Sequence, residues 1–111
     1  MNTLRNKVQL IGNLGNDPEI INLESGKTLA KFTIATNERY KNAQGEKVTD
    51  TQWHNIVAWG KTAEIVEKYL TKGKEVAVEG KLTTRSYDTK EGDKRYITEV
   101  VCNELLMLGK A

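Results

Sequence analysis

The chain holds one histidine, His54, one cysteine, Cys102, and two tryptophans, Trp53 and Trp59, and three of these four lie in the single run Thr51-Gln52-Trp53-His54-Asn55-Ile56-Val57-Ala58-Trp59-Gly60-Lys61. A zinc centre takes four protein ligands, or three and a water, so His54 and Cys102 would have to recruit carboxylates to make one. A Cys–His nucleophilic pair is formally available. Cys102, however, sits in Glu99-Val100-Val101-Cys102-Asn103, where a buried, inert thiol is the expected role. The fifteen acids are scattered among lysines, a pattern of solvated faces rather than of a paired acid and base. No GxxxxGK[ST] loop is present to cradle a nucleotide phosphate. An enzyme, a metal site and a cofactor are therefore not expected.

The aromatic and basic residues make a more coherent set. If the tryptophan run is a β-strand, Trp53, Asn55, Val57 and Trp59 share one face and His54, Ile56 and Ala58 the other. Two indoles on one face make either a stacking surface or part of a core. Phe32 and Tyr69 fit core positions of a strand and a helix and are assigned to packing. Tyr40, Trp53, Trp59, Tyr87 and Tyr96 remain, in or beside strand ends, with Arg39, Lys41, Lys61, Arg85, Lys94 and Arg95 close in sequence. Single-stranded nucleic acid suits such a surface, because unpaired bases stack on aromatic rings while phosphates attract cations. Any one of Tyr40, Tyr87 and Tyr96 could equally cover a sheet edge. The joint pattern favours binding, with Lys7, Lys31, Lys61, Lys81 and Arg85 as candidate phosphate contacts.

Length and composition narrow the rest. At 111 residues one domain, residues 1–111, is expected. The net charge is only +2, so the distribution of cations, not their excess, carries the nucleic-acid argument. One cysteine excludes an intrachain disulfide, and neither a signal-peptide pattern nor a run of roughly 20 apolar residues is visible. A cytoplasmic protein is expected.

These residues need strands to present them. Residues 4–14 alternate, with Val8, Leu10, Gly12 and Leu14 on one face, until Gly15-Asn16-Asp17-Pro18 breaks the pattern. A short extension over residues 19–23 reaches a turn at Glu24-Ser25-Gly26-Lys27. A strand over residues 28–39 places Ala30, Phe32 and Ile34 inward and Lys31, Thr33 and Ala35 outward, and forms a long hairpin with the tryptophan strand. Ala63, Val66 and Leu70, widened by Ile65 and Tyr69, then fall at helical spacing, with Thr62 as the expected cap and Gly73 as the expected stop. Alternation resumes with Val76, Val78, Gly80 and Leu82 inward and Lys81, Arg85 and Tyr87 outward. A last strand covers residues 94–107. Three strands, one helix and two strands match the order of an all-β, five-stranded OB-fold Greek-key barrel whose helix connects strands three and four, with a different small barrel carrying an incidental helix as the alternative.

Matched blocks run through nearly the whole chain: Asn6-Lys7-Val8, Gly12-Asn13-Leu14-Gly15, Asp17-Pro18-Glu19, Ala35-Thr36, Trp53-His54, Gly60-Lys61, Ala63-Glu64, Tyr69-Leu70, Lys72-Gly73, Glu79-Gly80 with Leu82, Thr84 and Arg85, Arg95-Tyr96 and Thr98-Glu99-Val100. In these blocks the chain resembles the bacterial single-stranded DNA-binding proteins. The resemblance implies an OB fold, usually a homotetramer, that coats single-stranded DNA without sequence preference or catalysis in replication, recombination and repair. It implies base stacking at Tyr40, Trp53, Trp59 and Tyr87, where the best-known members have tryptophan in place of Tyr40 and Tyr87; the smaller tyrosine ring is expected to stack more weakly. A cation often found two residues after the first tryptophan is Asn55 here. The resemblance also places His54 at a subunit interface. The family's acidic tail, which recruits replication and repair proteins, has no counterpart in Met107-Leu108-Gly109-Lys110-Ala111. The alternative expectation is thus a tail-less OB-fold accessory replication factor, of the primosome type, acting mainly through protein contacts.

Overall fold

Alternating apolar residues over long stretches produce two long hairpins in this protein, seen here as a computed structural model that describes residues 4–108. In β3 (Thr28–Lys41) Ala30, Phe32 and Ile34 are buried, and in β4 (Lys47–Trp59) so are Ile56 and Ala58. The two strands pair antiparallel without a register shift from Leu29 opposite Trp59 to Lys41 opposite Lys47. Their turn is held by Asn42, whose Oδ1 accepts from the N–H groups of Gln44 and Glu46, both at 3.0 Å. The second hairpin joins β5 (Glu75–Asp88) to β6 (Lys94–Met107), with a register shift at Glu79/Gly80.

Around these lie β1 (Val8–Leu14), the short β2 (Glu19–Asn22) and α1 (Gly60–Tyr69). The sheet order β1-β5-β6-β4-β3 closes on itself through Asn13 opposite Ala35 and Leu14 opposite Ile34. Only β4 and β6 run parallel, at Ile56 with Val100 and Val57 with Val101. β2 pairs with β3 alone and takes no part in closure. The expected OB-fold barrel of five long strands is the observed architecture, with the helix between the third and fourth of them.

Closure demands close backbone approach at two glycines. A Cβ on Gly12 would overlap the Ala35 carbonyl, and one on Gly80 the Val101 carbonyl. Inside, Ile34, Ile56, Val66 and Val76 are under 2 % exposed and pack with Leu14, Phe32, Leu70, Val78, Val100 and Cys102. Each fully buried aliphatic side chain contributes roughly 1.5–3 kcal/mol.

The helix differs from expectation. It begins directly after Trp59, with no side-chain cap, so Thr62 lies within its first turn rather than before it. Ala63 and Val66, followed by Leu70, face the barrel, whereas Ile65 and Tyr69 are exposed, Tyr69 by 54 %. A ten-residue helix touching β3, β4 and β6 offers them one narrow stripe, and the flanking positions 65 and 69 fall outside it. The helix ends as Leu70 turns extended, its N–H donating to the Val66 carbonyl at 3.0 Å. Gly73, with φ +90°, shapes the following turn instead, and its N–H donates to the Leu14 carbonyl at 2.8 Å. The first strand also starts later than expected, at Val8. Ahead of it the Asn6 amide pairs with both backbone groups of Leu82, donating to its carbonyl at 3.1 Å and accepting from its N–H at 3.0 Å. Leu82, expected inward, is 47 % exposed.

Candidate nucleic-acid interface

The β3–β4 register sets Leu29, Lys31, Thr33 and Ala35 directly opposite Trp59, Val57, Asn55 and Trp53. Because side chains alternate, these eight share the face turned away from Phe32, Ile34 and Ile56. β6 and β5 extend that face: Val101 lies beside Val57, Thr83 opposite Glu99, Arg85 opposite Ile97 and Tyr87 opposite Arg95. Trp53 is 62 % exposed and Trp59 43 %. The indoles are outside the core, with a π face available to a ligand.

Beneath them the surface is shaped rather than flat. Leu29 and Val57 are buried on this outer face and floor an open cup walled by Lys31, Trp59, Thr83 and Arg85. A second cup is lined by Asn16, Lys31, Thr33, Asn55, Arg85 and Glu99. Lys31 and Arg85 belong to both, so the two depressions form one strip between the aromatic rings. Asn55 adds an uncharged amide to it. The loop after β1 forms one wall, since Asn16 Oδ1 accepts from the Thr33 N–H at 3.2 Å and hydroxyl at 2.8 Å. Gly15 donates its N–H to the Thr33 carbonyl at 3.0 Å, and the Trp53 ring lies so close that a Cβ on Gly15 would overlap it.

Arg85 does not stand free. Its Nε–H donates to Glu99 Oε1 at 2.9 Å and its Nη2 to Oε2 at 3.4 Å. The hydrogen bond and charge of Glu99 raise the Arg85 pKa further above its already high ordinary value. Glu99 is 7 % exposed.

Other expected site residues are dispersed. Tyr87 and Lys81 lie on the same outer face as Arg85. Lys61 is exposed in the first turn of α1. Tyr40, 52 % exposed, sits opposite Val48 near the tip of the first hairpin, and its even register places it on the face opposite Trp53. Arg39, Lys41 and Lys47 surround it. Tyr96, 70 % exposed, pairs with Ser86 and therefore points away from the face of Tyr87. Lys7 forms an ion pair with Glu79 at 3.5 Å on the β1–β5 side of the barrel. That Glu79 carboxyl is held below its ordinary pKa by the Gln9 amide first and Lys7 second. His54 is on the face opposite the indoles, as alternation requires, with its Nε2 3.0 Å from the Thr36 hydroxyl. One internal partner is thus present for the histidine.

Gly15, Asn16 and Glu99 were not singled out as site residues by sequence. Gly15 and Asn16 read as a strand break, and nothing local shows that an indole rests on them. Glu99 carried a recoverable signal. Folding the second hairpin about residues 89–92 sets Glu99 diagonal to Arg85.

Comparison with known proteins bears on the family and the fold. The model of the single-strand binding protein family matches residues 5–108. Single-stranded DNA-binding protein 1 of Chlorobaculum tepidum is 53% identical over 105 residues, covering 94% of this chain and 65% of that protein; this chain therefore spans just under two thirds of that relative. Single-stranded DNA-binding protein 1 of Xylella fastidiosa is 45% identical over 106 residues, 95% of this chain and 78% of that protein. Among solved structures, the Plasmodium falciparum SSB complex with ssDNA superposes with a TM-score of 0.86 at 36% identity, covering 98% of this chain and 100% of that one. A deletion mutant of the Thermus aquaticus single-stranded DNA-binding protein gives 0.81 at 25% identity, over 94% of this chain and 50% of that one. A family match across the whole described barrel, with relatives at this identity, makes the chain a member of the single-strand binding protein family.

Proposed function

We propose that residues 1–111 form a single non-catalytic domain that binds and protects single-stranded DNA without sequence preference during replication, recombination and repair. The observation that carries this reading is the pair of exposed indoles, Trp53 and Trp59, on one sheet face with Lys31 and Arg85 between them. Bases stack on the rings whatever their identity, because every base has a π face, and phosphates follow cations such as Lys31. Tyr87 and Lys81 extend the same face, and Lys61 offers a further exposed cation at the start of α1. Tyr40 and Tyr96, each on the face of its hairpin arm turned away from the indoles, serve strand segments that pass around those arms.

Titrating tryptophan fluorescence with oligo-thymidine tests this. Quenching is expected, with affinity falling as salt rises at a log–log slope of about −0.7 per phosphate neutralised. Unchanged fluorescence and no gel shift at low salt would overturn the reading.

We further propose that the protein works as a homotetramer, with His54 near a subunit contact, in the cytoplasm at the nucleoid. Supporting assembly, Ile11 and Leu106 are 60 % and 62 % exposed and, with Ala77, line an apolar depression away from the indoles. No described helix is long and apolar enough to cross a membrane. Residues 109–111, on which the expectation of a missing acidic tail rests, lie outside the described residues.

A further inference from the structure

Arg85 has the position of a phosphate contact but not its freedom. Among the described residues it is the side-chain partner of the Glu99 carboxylate, which is more than nine-tenths buried. Were the guanidinium to swing out to a phosphate, that carboxylate would be left buried and unpaired, a state disfavoured far more than an exposed charge. The pair is also held by its setting: Glu99 lies in register with Thr83, whose hydroxyl donates to the Glu99 carbonyl at 3.4 Å, and both acid and base line the two cups beside Trp59 and Asn55.

The geometry leaves Arg85 a limited set of contacts. Nε and one hydrogen of Nη2 are taken by Glu99; the two Nη1 hydrogens, the second Nη2 hydrogen and the flat guanidinium face remain. Arginine stacks by that face on aromatic and base rings and donates in its plane.

We propose that Glu99 is a positioning residue and built-in counter-anion for Arg85, so that Arg85 meets nucleotide bases as half of a neutral pair and neutralises no phosphate. This rests on the DNA-binding reading above. Since an arginine whose counter-charge belongs to the protein releases no condensed ion on binding, the pair contributes affinity that is independent of salt. Lys31, for which no ion pair is seen among the described residues, stays the salt-sensitive cation of the same strip.

The test compares oligo-thymidine affinity across a salt series for the wild type, Glu99→Gln, and the double variant Arg85→Gln, Glu99→Gln. Glutamine keeps the size of Glu99 and an acceptor for the Nε–H, and two glutamines can pair across the strands, so both variants should retain the wild-type melting transition by circular dichroism. In Glu99→Gln the freed guanidinium should steepen the salt slope by about 0.7, the value of one added phosphate contact, and tighten binding at low salt. The double variant should keep the wild-type slope while losing about threefold to tenfold in affinity at every salt concentration, as expected for one guanidinium–base contact. A double variant whose slope flattens by about 0.7, beside an unchanged Glu99→Gln, would show that Arg85 neutralises a phosphate and would overturn the proposal. A Glu99→Gln protein that no longer melts cooperatively would show the carboxylate to be a structural requirement, and would overturn the positioning role too. Failure of the wild type itself to bind is a separate result, which defeats the DNA-binding reading and this inference with it.

Discussion

Trp53 keeps its place because residue 15 has no side chain. The indole rests where a Cβ would otherwise sit, and the same loop holds Thr33 through Asn16. Gly15→Ala should push the ring off this seat without a backbone penalty, since Gly15 is not among the positive-φ glycines. Its expected effect is a measurable part of the about 1–3 kcal/mol that one stacked base contributes, with Trp53→Ala giving the full loss in a quenching titration. Equal affinity of Gly15→Ala and wild type would remove the seat from the argument. Alternation was enough to read Trp53 and Trp59 onto one face of their strand and Lys31 and Arg85 outward on theirs, and the strand register joins them. The roles of Gly15 and Glu99 were not legible in the same way, because each depends on a contact from another strand. Cys102 behaves as its apolar setting suggests: burial pushes its thiol up from 9.0 to about 11. The native state therefore holds a proton between these values that the unfolded state has released, and stability falls as pH rises through that window. Urea unfolding at pH 8 and at pH 10.5 should show a larger alkaline loss for wild type than for Cys102→Ala, whereas equal losses would place that thiol in water.

At the scale of elements, barrel closure is a narrow join, as is the parallel β4–β6 contact. β1 meets β3 through two residue pairs only, beside Gly12, whose missing Cβ lets the Ala35 carbonyl approach. Gly12→Ala should lower the unfolding free energy by about 1–3 kcal/mol, the usual effect of overpacking, as read from the urea midpoint. An unchanged midpoint would mean that the strands can separate at this point without loss. The strands were legible because period-two patterning over a half-buried sheet constrains every residue. The helix was less so: its first turn follows Trp59 directly, and the Ile65 and Tyr69 positions look apolar in a periodicity count although the surfaces they would cover are not there. Tertiary contact, absent from a local pattern, decides which side of so short a helix is buried.

For the whole molecule, the platform and the apolar depression occupy different parts of the barrel surface, so DNA binding and self-association need not compete. Ile11, Ala77 and Leu106 lie on β1, β5 and the end of β6, flanked by Gln9, Glu79 and Glu104, while the indoles are on β4. Exposed apolar patches of this kind mark interaction sites. In an assembly that buries this patch, several indole platforms face outward and one long strand can engage them together, which multiplies affinity by about 10²–10⁴ without any new contact. Ile11→Glu places a third carboxylate beside Glu79 and Glu104 and should lower the mass found by sedimentation equilibrium. Each separated subunit keeps Trp53 and Trp59, so quenching by an oligonucleotide short enough for one platform should persist at wild-type affinity. Affinity for a strand long enough to span several platforms should fall by at least about 100-fold. A wild-type mass for Ile11→Glu would place the subunit contact elsewhere on the barrel, whereas a lowered mass with equal losses for short and long strands would show that the patch supports the platform itself rather than the joining of platforms.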